Sequence, residues 1–305
     1  MRAIRNEVRD AIAAGQGVVA LESTLVAHGL PWPDNLETAL DSEAAVRAAG
    51  SIPATVAIVG GRLTIGLSRP EIEAMARSNT YLKASRRDLA LAVARGLNAA
   101  TTVSATLWAA RTSGLGVMAT GGLGGVHRGA AESFDVSADL DELARADGCL
   151  LVCSGVKSIL DVAATLEALE TRGVAVLGYR ADEFPAFTAR SSGLPVEHRL
   201  DDPTSVAEVV AAHRALGLPG ALLLARPVDE EVAVDQASMD LAIEGALREA
   251  HSGGIRGKAI TPFLLGKVRE LTEGRSLGAN RSLIVANAGL AGEIAAALAS
   301  RRTAI

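Results

Sequence analysis

Residues 148–173 read GCLLVCSGVKSILDVAATLEALETRG, and this stretch decides the fold. Its first half is a short apolar run typical of a buried β-strand, and its second half has helical apolar spacing that ends at Gly173. The same order recurs along the chain, with further strands predicted in VVALEST (18–24), GVMATGG (116–122), VAVLGYR (174–180) and GALLLARP (220–227). Strands that alternate with helices predict a sheet covered by helices on both faces.

One pair of strands is predicted to be antiparallel. The segment PATVAIVGGRLTIGLS (53–68) favours a hairpin that turns at Gly60 and Gly61, and Ser68 then caps a helix predicted over 69–77. The last third of the chain is mainly helical in pattern. We therefore expect an α/β fold with three α/β/α layers and a central mixed sheet. No linker or repeat of fixed period interrupts the sequence, so residues 1–305 are expected to form a single domain.

Composition narrows the functional class. The net charge is −5 and no basic run occurs, which argues against a nucleic-acid partner. The charged, amphipathic start is unlike a signal peptide, and apolar runs such as CLLVCSGV are too short to span a bilayer. Cys149 and Cys153 would lie about 13 Å apart on one strand, too far to form a disulfide with each other. These features predict a cytoplasmic protein without a membrane partner.

Lys157 is the strongest candidate for chemistry. Four of the 30 basic residues are lysines, at positions 83, 157, 258 and 267, so each lysine has a raised chance of needing its primary amine. Lys157 follows an apolar strand and precedes a predicted helix, and Gly155 allows close approach. Burial and a nearby helix N-terminus both favour the neutral, nucleophilic amine. The alternative is a lysine that extends from the strand end into solvent.

Carboxylates provide the next candidates. Glu22 follows the strand VVAL, where it serves acid–base chemistry or, alternatively, makes a structural ion pair or a hydrogen bond to a backbone turn. Asp135 and Asp139, with Ser137 between them, have the oxygen ligands that Mg²⁺ or Mn²⁺ accepts, largely through water. SADLDEL (137–143) is also a good helix start, so at least one of these carboxylates is expected to act as a helix cap.

Two further segments favour anion binding. The glycine-rich run TGGLGGVHRG (120–129) supplies backbone donors and is followed by no GK[ST] sequence, and KASRRDL (83–89) supplies three cations. A solvated helix start is the usual alternative for such a cation cluster. Because the histidines lack H-x-x-x-H spacing, a zinc site is not expected, and the sequence contains no G-x-S-x-G elbow.

Taken together, these segments resemble the pseudouridine-5′-phosphate glycosidase family, which includes the indigoidine synthase A-like proteins. The resemblance extends over about residues 18 to 297. The motifs that carry it are, in order, VALESTLVAHGLPWPDN, PATVAIVGGRLTIGLS, KASRRDL, ATTVSATL, ATGGLGGVHRG, FDVSADL, CSGVKSILD, GYRADEFPAF, GKAITPFLL and SLGANRSLIVANAGLAGEIA. Ten motifs in one order are far more specific than any one of them.

The resemblance implies a role for each matching residue. Lys157 corresponds to a nucleophile that forms a Schiff base with ring-opened ribose 5-phosphate, and Glu22 to the proton donor. Asp135 corresponds to the ligand of one Mn²⁺ per subunit. The remaining matches are substrate-binding positions: Lys83, Val103, His127, Ser137, Ala138, Asp139 and Asn287. The resemblance further implies a homotrimer that takes a small-molecule substrate, either pseudouridine 5′-phosphate or ribose 5-phosphate with uracil.

The implied reaction is reversible cleavage of a C–C glycosidic bond. Three positions depart from the family pattern: Ala259 replaces a common glutamate, Ala286 replaces a common asparagine, and no aromatic follows Phe187. They leave open C-ribosylation of another aromatic acceptor. A Schiff-base aldolase for sugar phosphates is a further alternative, opposed by Glu22 and Asp135. A catalytically silent nucleotide-binding module is the last, opposed by the joint presence of Lys157, Glu22 and Asp135.

Overall fold

The computed structural model describes residues 1–255 and 259–302. Lys258 and the preceding Gly257 of the GKAITPFLL motif lie outside the described residues. The strands are β1 (Arg2–Ile4), β2 (Val18–Leu21), β3 (Ile52–Val59), β4 (Arg62–Ile65), β5 (Leu82–Ala84), β6 (Ala99–Thr101), β7 (Val117–Ala119), β8 (Val126–His127), β9 (Leu150–Cys153), β10 (Leu160–Asp161), β11 (Ala175–Tyr179), β12 (His198–Leu200) and β13 (Leu222–Ala225). The α-helices are α1 (Asn6–Ala13), α2 (Asp34–Ala48), α3 (Arg69–Arg77), α4 (Leu89–Ala94), α5 (Val103–Arg111), α6 (Ala130–Ser133), α7 (Ala138–Leu143), α8 (Val162–Thr171), α9 (Pro203–Ala215), α10 (Gln236–Ser252), α11 (Ile260–Leu271) and α12 (Arg275–Arg302).

The main sheet has 11 strands and is mixed. Nine strands follow the order β1-β4-β3-β2-β7-β9-β13-β11-β12, while β6 pairs with both β3 and β5. The strands from β3 through β2, β7, β9, β13 and β11 to β12 are parallel neighbours. The hairpin of β3 and β4 is antiparallel, as is the pairing of β3 with β6. The expected mixed sheet is therefore confirmed.

Helices cover both faces of this sheet, because alternate residues of each strand enter different cores. Val19 and Leu21 of β2 pack with residues of α2, α9 and α12, whereas Val18 and Ala20 belong to the core that includes α1, α5, α7 and α8. In β9, Leu150 and Leu151 divide in the same way. This alternation follows from the two-residue period of a strand and confirms the three-layer α/β/α arrangement.

Helix α12 is the one described helix that is long and apolar enough to cross a membrane, by length and composition alone. More than half of its most apolar window is buried inside the protein. Its residues Ala288, Ala291, Ile294 and Leu298 belong to the core beneath α2 and α9. Arg281 also pairs with Asp34 and Glu37 of α2. The apolar composition of α12 is accounted for by this packing.

Several local predictions are confirmed. The hairpin turns at Gly60 and Gly61, whose φ angles of 54° and 73° match the two positive values required by a two-residue type I′ turn. Ser68 caps α3 in a capping box with Glu71. Cys149 and Cys153 are both free and buried, and burial raises the pKa of the Cys153 thiol to about 12. A thiol in that state is chemically inert near neutral pH.

The helix predicted after Lys157 begins later than the pattern indicates. Leu160 and Asp161 form β10, which pairs with β8, and Asp161 then caps α8 by accepting a hydrogen bond from the amide of Ala164 at 2.9 Å. Apolar spacing does not distinguish a two-residue strand from a first helical turn. Lys157 therefore lies in a turn between β9 and β10, and the expectation of a helix directly after it is wrong.

Candidate active site

The carboxyl ends of three parallel strands bring the site residues together. Leu21 of β2 is level with Ala119 of β7, and Ala119 is level with Val152 of β9. The residues that follow, Glu22 and Thr120, are therefore neighbours across the sheet. Polar residues that follow these strands therefore meet at one edge of the sheet, in agreement with the position of sites in open α/β sheets.

A cavity of about 440 Å³ opens at this edge. Such a volume suits a small-molecule ligand. Glu22, Lys83, Lys157, His127 and Asp135 all lie on its wall. Glu22 and Lys157, which are more than 130 positions apart in the sequence, therefore share one cavity.

Lys157 reaches the cavity from a tightly packed turn. Gly155 has a φ of 81°, and a side chain there would collide with the carbonyl group of Pro185. The amide of Lys157 donates to the carbonyl of Leu123 at 3.1 Å, which fixes the turn against the glycine-rich loop. A hypothetical Cβ on Gly122 would lie 3.2 Å from Lys157 Cγ. Glycines at 122 and 155 thus allow the lysine stem its path to the cavity.

Glu22 is buried, with 6% of its surface exposed. The hydroxyl of Thr24 donates to Glu22 Oε2, and the hydroxyl of Thr120 donates to Glu22 Oε1. The alternative of a structural ion pair is not supported, since no salt bridge to Glu22 occurs in the described part of the chain. Two hydroxyl donors position the carboxyl group and leave it facing the cavity.

Cationic and imidazole groups surround the same space. Burial lowers the pKa of His28, and Lys83 lowers it further. Burial likewise lowers the pKa of His127, against the opposing effect of Asp135 and with smaller contributions from Lys83 and Lys157. Both imidazoles are therefore held neutral near pH 7. Lys83 and Lys157 on this wall supply cations that an anionic ligand group could contact.

Asp135 is half-exposed, and its Oδ2 atom lies 4.0 Å from His127 Nε2. Within residues 1–255 and 259–302, no group of three His, Cys, Asp or Glu side chains is arranged to hold a metal ion. This donor set does not form an all-protein cage. It does fit a hard divalent cation that keeps several waters and binds protein through one carboxylate.

Asp139 joins two neighbouring segments of the chain at the cavity through backbone hydrogen bonds. Its Oδ1 accepts a hydrogen bond from the amide of Ser104 at 2.9 Å, and its Oδ2 accepts one from the amide of Gly124 at 3.1 Å. The N-cap of α7 is Ser137, which accepts from the amide of Asp139. The expectation that Asp135 or Asp139 caps this helix is therefore wrong. Asp139 instead ties α5 to the glycine-rich loop, while Ser137 and Ala138 line the cavity beside it.

Several backbone amides of the glycine-rich loop already have hydrogen-bond partners within the protein. The amide of Leu123 donates to the carbonyl of Gly155, that of Val126 to Thr165 Oγ1, and that of His127 to the carbonyl of Asp135. Phosphate binding by these particular amides, which the sequence favoured, is therefore excluded. Val103 lies at the first position of α5, where backbone N–H groups have no partner within the helix, and it faces the cavity.

Asn287 and Asn280 of α12 differ in their relation to the cavity. Asn287 is fully buried and is not among the residues that line the cavity; its Nδ2 donates to the carbonyl of Thr120 and to Ser154 Oγ, each at 3.0 Å. These bonds hold the strand ends together, and substrate binding by Asn287 stays a prediction. Asn280 lines the cavity, and its buried Oδ1 has no partner among the described residues.

A second cavity of about 250 Å³ adjoins the first. His28, Phe187 and Asn280 lie on the walls of both. The Nε2 atom of His28, like Asn280 Oδ1, is buried without a partner in the described residues. Unpaired buried polar atoms are costly unless a ligand or water satisfies them. The boundary between the two cavities is therefore a place for a polar ligand group, which the sequence motifs did not identify.

A lysine and a buried carboxyl group at one edge of the sheet, in a cavity lined by both cations and carboxylates, define an α/β enzyme site. The chain belongs to the family described as indigoidine synthase A like protein, whose model matches residues 7–297. This result confirms the family resemblance in the sequence motifs.

Individual relatives agree with this assignment. The chain is 52% identical over 295 residues to the pseudouridine-5′-phosphate glycosidase of Caldanaerobacter subterraneus subsp. tengcongensis, with 97% of this chain and 96% of the relative covered. Over 301 residues it is 50% identical to pseudouridine-5′-phosphate glycosidase 2 of Rhizobium johnstonii, with coverage of 99% and 97%.

Two solved structures share the fold over nearly the whole chain. The prealnumycin C-glycosynthase AlnA, in complex with ribulose 5-phosphate, has a TM-score of 0.92 and 39% identity, covering 100% of this chain and 99% of its own. An indigoidine synthase A-like protein from Thermotoga maritima has a TM-score of 0.89 and 38% identity, with coverage of 98% and 97%.

Proposed function

We propose that this protein cleaves and forms the C–C glycosidic bond of pseudouridine 5′-phosphate, interconverting it with uracil and ribose 5-phosphate. The observation that carries the proposal is the presence of Lys157 and the buried Glu22 on the wall of one cavity, at the carboxyl edge of the sheet beyond β9 and β2. The names of the relatives agree with it.

The chemistry of this bond explains the need for a lysine. An ordinary glycosidase protonates a leaving oxygen or nitrogen with one of two carboxyl groups. Pseudouridine joins C1′ of ribose to C5 of uracil, so no heteroatom is available as the leaving atom. When the C1′–C5 bond breaks, its electron pair leaves with uracil, so C1′ needs an electron donor. An amine nitrogen bonded to C1′ supplies its lone pair and becomes a protonated imine. Lysine is the side chain that forms such an imine.

The proposed steps balance with Lys157 and Glu22 alone. Glu22 gives a proton to O4′ as the C1′–O4′ bond breaks, and Lys157 Nζ bonds to C1′. Glu22 recovers the proton that the nitrogen loses and transfers it to C5 of uracil. The nitrogen lone pair then breaks the C1′–C5 bond, which releases uracil and leaves a Schiff base. Water hydrolyses this Schiff base to ribose 5-phosphate and the free lysine.

The base is proposed to bind at the boundary of the two cavities. Uracil attached through C5 keeps both N1–H and N3–H as hydrogen-bond donors. His28 is neutral, and its buried Nε2 has no partner among the described residues, so a neutral imidazole can present Nε2 as an acceptor. Asn280 Oδ1 is a second buried acceptor. Two acceptors match a C-glycoside better than uridine, in which N1 carries no hydrogen.

The phosphate is proposed to bind Lys83 and the first turn of α5 at Val103, where the helix dipole favours an anion. Asp135 would hold Mn²⁺, with His127 beside it. When bound, the cation would polarise a ligand oxygen and neutralise negative charge. We further propose a cytoplasmic homotrimer, on the strength of the family resemblance in the sequence.

C-ribosylation of another aromatic acceptor is the second candidate. The adjoining cavity of about 250 Å³ offers room beyond Phe187 for a ring system larger than uracil. The similarity to a C-glycosynthase supports this candidate as well. Ala259 precedes α11, whose Pro262 and Leu265 line that second cavity. Small residues in this region fit an enlarged acceptor space.

A direct assay tests the function. The protein would be incubated with pseudouridine 5′-phosphate and Mn²⁺, and uracil and ribose 5-phosphate would be measured, with Lys157→Ala as the control. The proposal is supported if the wild type releases both products and Lys157→Ala releases neither. A folded wild-type protein that releases neither product, and joins neither in the reverse direction, contradicts it.

A further inference from the structure

A small cavity, distinct from the ligand cavity, adjoins Glu22. Its volume is about 10 Å³, which suffices for one water molecule. Its polar wall comprises Glu22, Thr120, Ser42 of α2 and Thr55 of β3. Glu22 thus lies on the wall of both the ligand cavity and this water-sized cavity.

The polar atoms around the cavity are suited to hold a water. The hydroxyl of Ser42 donates to the carbonyl of Thr38 at 2.7 Å, and the hydroxyl of Thr120 donates to Glu22, so both oxygens keep lone pairs for a water hydrogen. One helical turn before Ser42, the buried Thr38 Oγ1 has no partner among the described residues. A site with three or four polar neighbours meets the requirement for an ordered internal water.

Thr55 extends the path from this cavity toward the protein surface. Its Oγ1 donates to Glu43 Oε1 at 2.6 Å. Glu43 lies on α2 and is half-buried. The charged groups near Glu43 are Arg47 on the same helix, with Arg5 and Glu7 from the N-terminal segment. Glu43 therefore connects a buried hydroxyl with a charged, solvated edge of the molecule.

Burial makes Glu43 able to exchange a proton. Desolvation raises the pKa of Glu43, opposed by the hydrogen bond from Thr55 and by the charges of Arg47 and Arg5. A raised pKa makes the Glu43 carboxylate a better proton acceptor than an exposed carboxylate. This property adds to the geometry of the cavity and the hydrogen bond.

We propose that a water in this cavity, Thr55 and Glu43 form a proton relay that connects Glu22 with solvent by a path separate from the ligand cavity. In the outward direction, Glu22 gives its proton to the water and the water gives one to Thr55 Oγ1. Thr55 passes its hydroxyl proton to the Glu43 carboxylate. Glu22 loses a proton and Glu43 gains one. Rotation of the Thr55 hydroxyl then resets the relay, and a proton can move inward along the same path.

The relay is needed when a ligand fills the ligand cavity. Glu22 is only 6% exposed, and that exposure is toward the cavity where the sugar phosphate would bind. A bound ligand would separate Glu22 from bulk solvent on that side. A separate path would let Glu22 regain the correct protonation state without release of the ligand. The inference rests on the proposed role of Glu22 as proton donor.

Matched variants at Thr55 test the relay. Thr55→Val replaces the hydroxyl with a methyl group of similar shape, Thr55→Ser keeps the hydroxyl, and Glu43→Gln removes the outer proton acceptor. We expect Thr55→Val and Glu43→Gln to lower kcat for pseudouridine 5′-phosphate by about tenfold or more, within the range for proton-transfer catalysis. KM should change less than twofold, the solvent deuterium isotope effect on kcat should rise, and Thr55→Ser should keep most of the activity.

The double variant Thr55→Val/Glu43→Gln should lose no more activity than either single variant, since both interrupt one path. Thermal unfolding checks that each variant is folded. Unchanged kcat and isotope effect in folded Thr55→Val, or equal losses in Thr55→Val and Thr55→Ser, would overturn the relay. Glu22→Gln separates the two proposals: if it retains full activity, the assignment of Glu22 is wrong, and if it is inactive while Thr55→Val is unaffected, only the relay fails.

Discussion

Thr120 and Glu22 lie at the ends of adjacent parallel strands, and the Thr120 hydroxyl donates a hydrogen bond to Glu22 Oε1. Because the other carboxyl oxygen accepts from Thr24, both oxygens of Glu22 are directed by hydroxyl groups. The orientation of this buried carboxyl group is therefore set by the sheet register. Asn287 supports the same edge, since its amide donates to the carbonyl of Thr120.

Replacing Thr120 by valine should lower activity more than it lowers stability. Loss of the hydroxyl leaves Glu22 Oε1 without its donor, a change that typically costs about 1–3 kcal/mol for a buried polar group. Where that loss is felt in the transition state, kcat falls about tenfold for each 1.4 kcal/mol. Steady-state kinetics would measure it, with Thr120→Ser as the control. Equal kcat values for the valine and serine variants would contradict the role of this hydrogen bond.

Gly124→Ala should destabilise the protein through the wall of the site. A Cβ at this position would lie 2.6 Å from Asp139 Oδ2 and would also collide with Ser137. Overpacking of this kind costs about 1–3 kcal/mol, and chemical denaturation would report it. Gly278→Ala is the matched control, because no atom lies within 4 Å of its hypothetical Cβ and alanine favours helix α12. Equal stability of Gly124→Ala and wild type would refute the steric argument.

His28 should make stability dependent on pH below about 6.5. Burial lowers the pKa of His28 in the folded state from its usual value of 6.5, so the unfolded chain binds a proton first as pH falls. Its contribution is therefore fully present above pH 6.5 and is lost as pH falls below that value. Urea unfolding at about pH 8 and about pH 5.5 should show a smaller difference for His28→Asn than for wild type.

His198→Asn serves as the control for this experiment, because His198 is exposed and its replacement should leave the pH difference unchanged. The same pH difference in wild type and His28→Asn would show that His28 contributes nothing to the linkage.

Asp135→Asn should weaken Mn²⁺ binding. A neutral amide is a poorer ligand than a carboxylate for a hard cation, and His127 alone does not replace it. Titration of Mn²⁺ followed by electron paramagnetic resonance would measure binding directly, independent of turnover. Asp201→Asn is the control, since Asp201 is exposed and pairs with Arg199 away from the cavity. Equal Mn²⁺ affinity in both variants would remove Asp135 as the ligand.

Much of the site could be predicted because it depends on strand ends. Apolar runs locate β2, β7 and β9. Glu22 directly follows β2 and Lys157 lies in the turn after β9, so both share the carboxyl edge of the sheet. The hairpin at Gly60 and Gly61 could also be predicted, because two glycines between apolar runs are typical of a tight β-hairpin turn. The assignment of residues 1–305 to a single domain stays a prediction.

Other features depend on distances that sequence spacing does not contain. Asn280 and Asn287 are seven residues apart on α12, so they share one helical face but differ by roughly 10 Å along the axis. Only the position of the sheet decides which one reaches the cavity. The two-residue strand β10 and the bridging role of Asp139 likewise follow from tertiary contacts with β8 and α5.

The central claim is that Lys157 forms a covalent imine with the sugar phosphate. Its most direct test is to incubate the protein with ribose 5-phosphate, add borohydride, and locate the reduced adduct by peptide mass spectrometry, with Lys157→Ala and Lys83→Ala alongside. We expect a ribose phosphate adduct on Lys157 in the wild type and none in Lys157→Ala. Lys83→Ala, which lacks the proposed phosphate ligand, should give a weaker signal at Lys157. An adduct on another lysine, or an equal signal in Lys157→Ala, would contradict this claim.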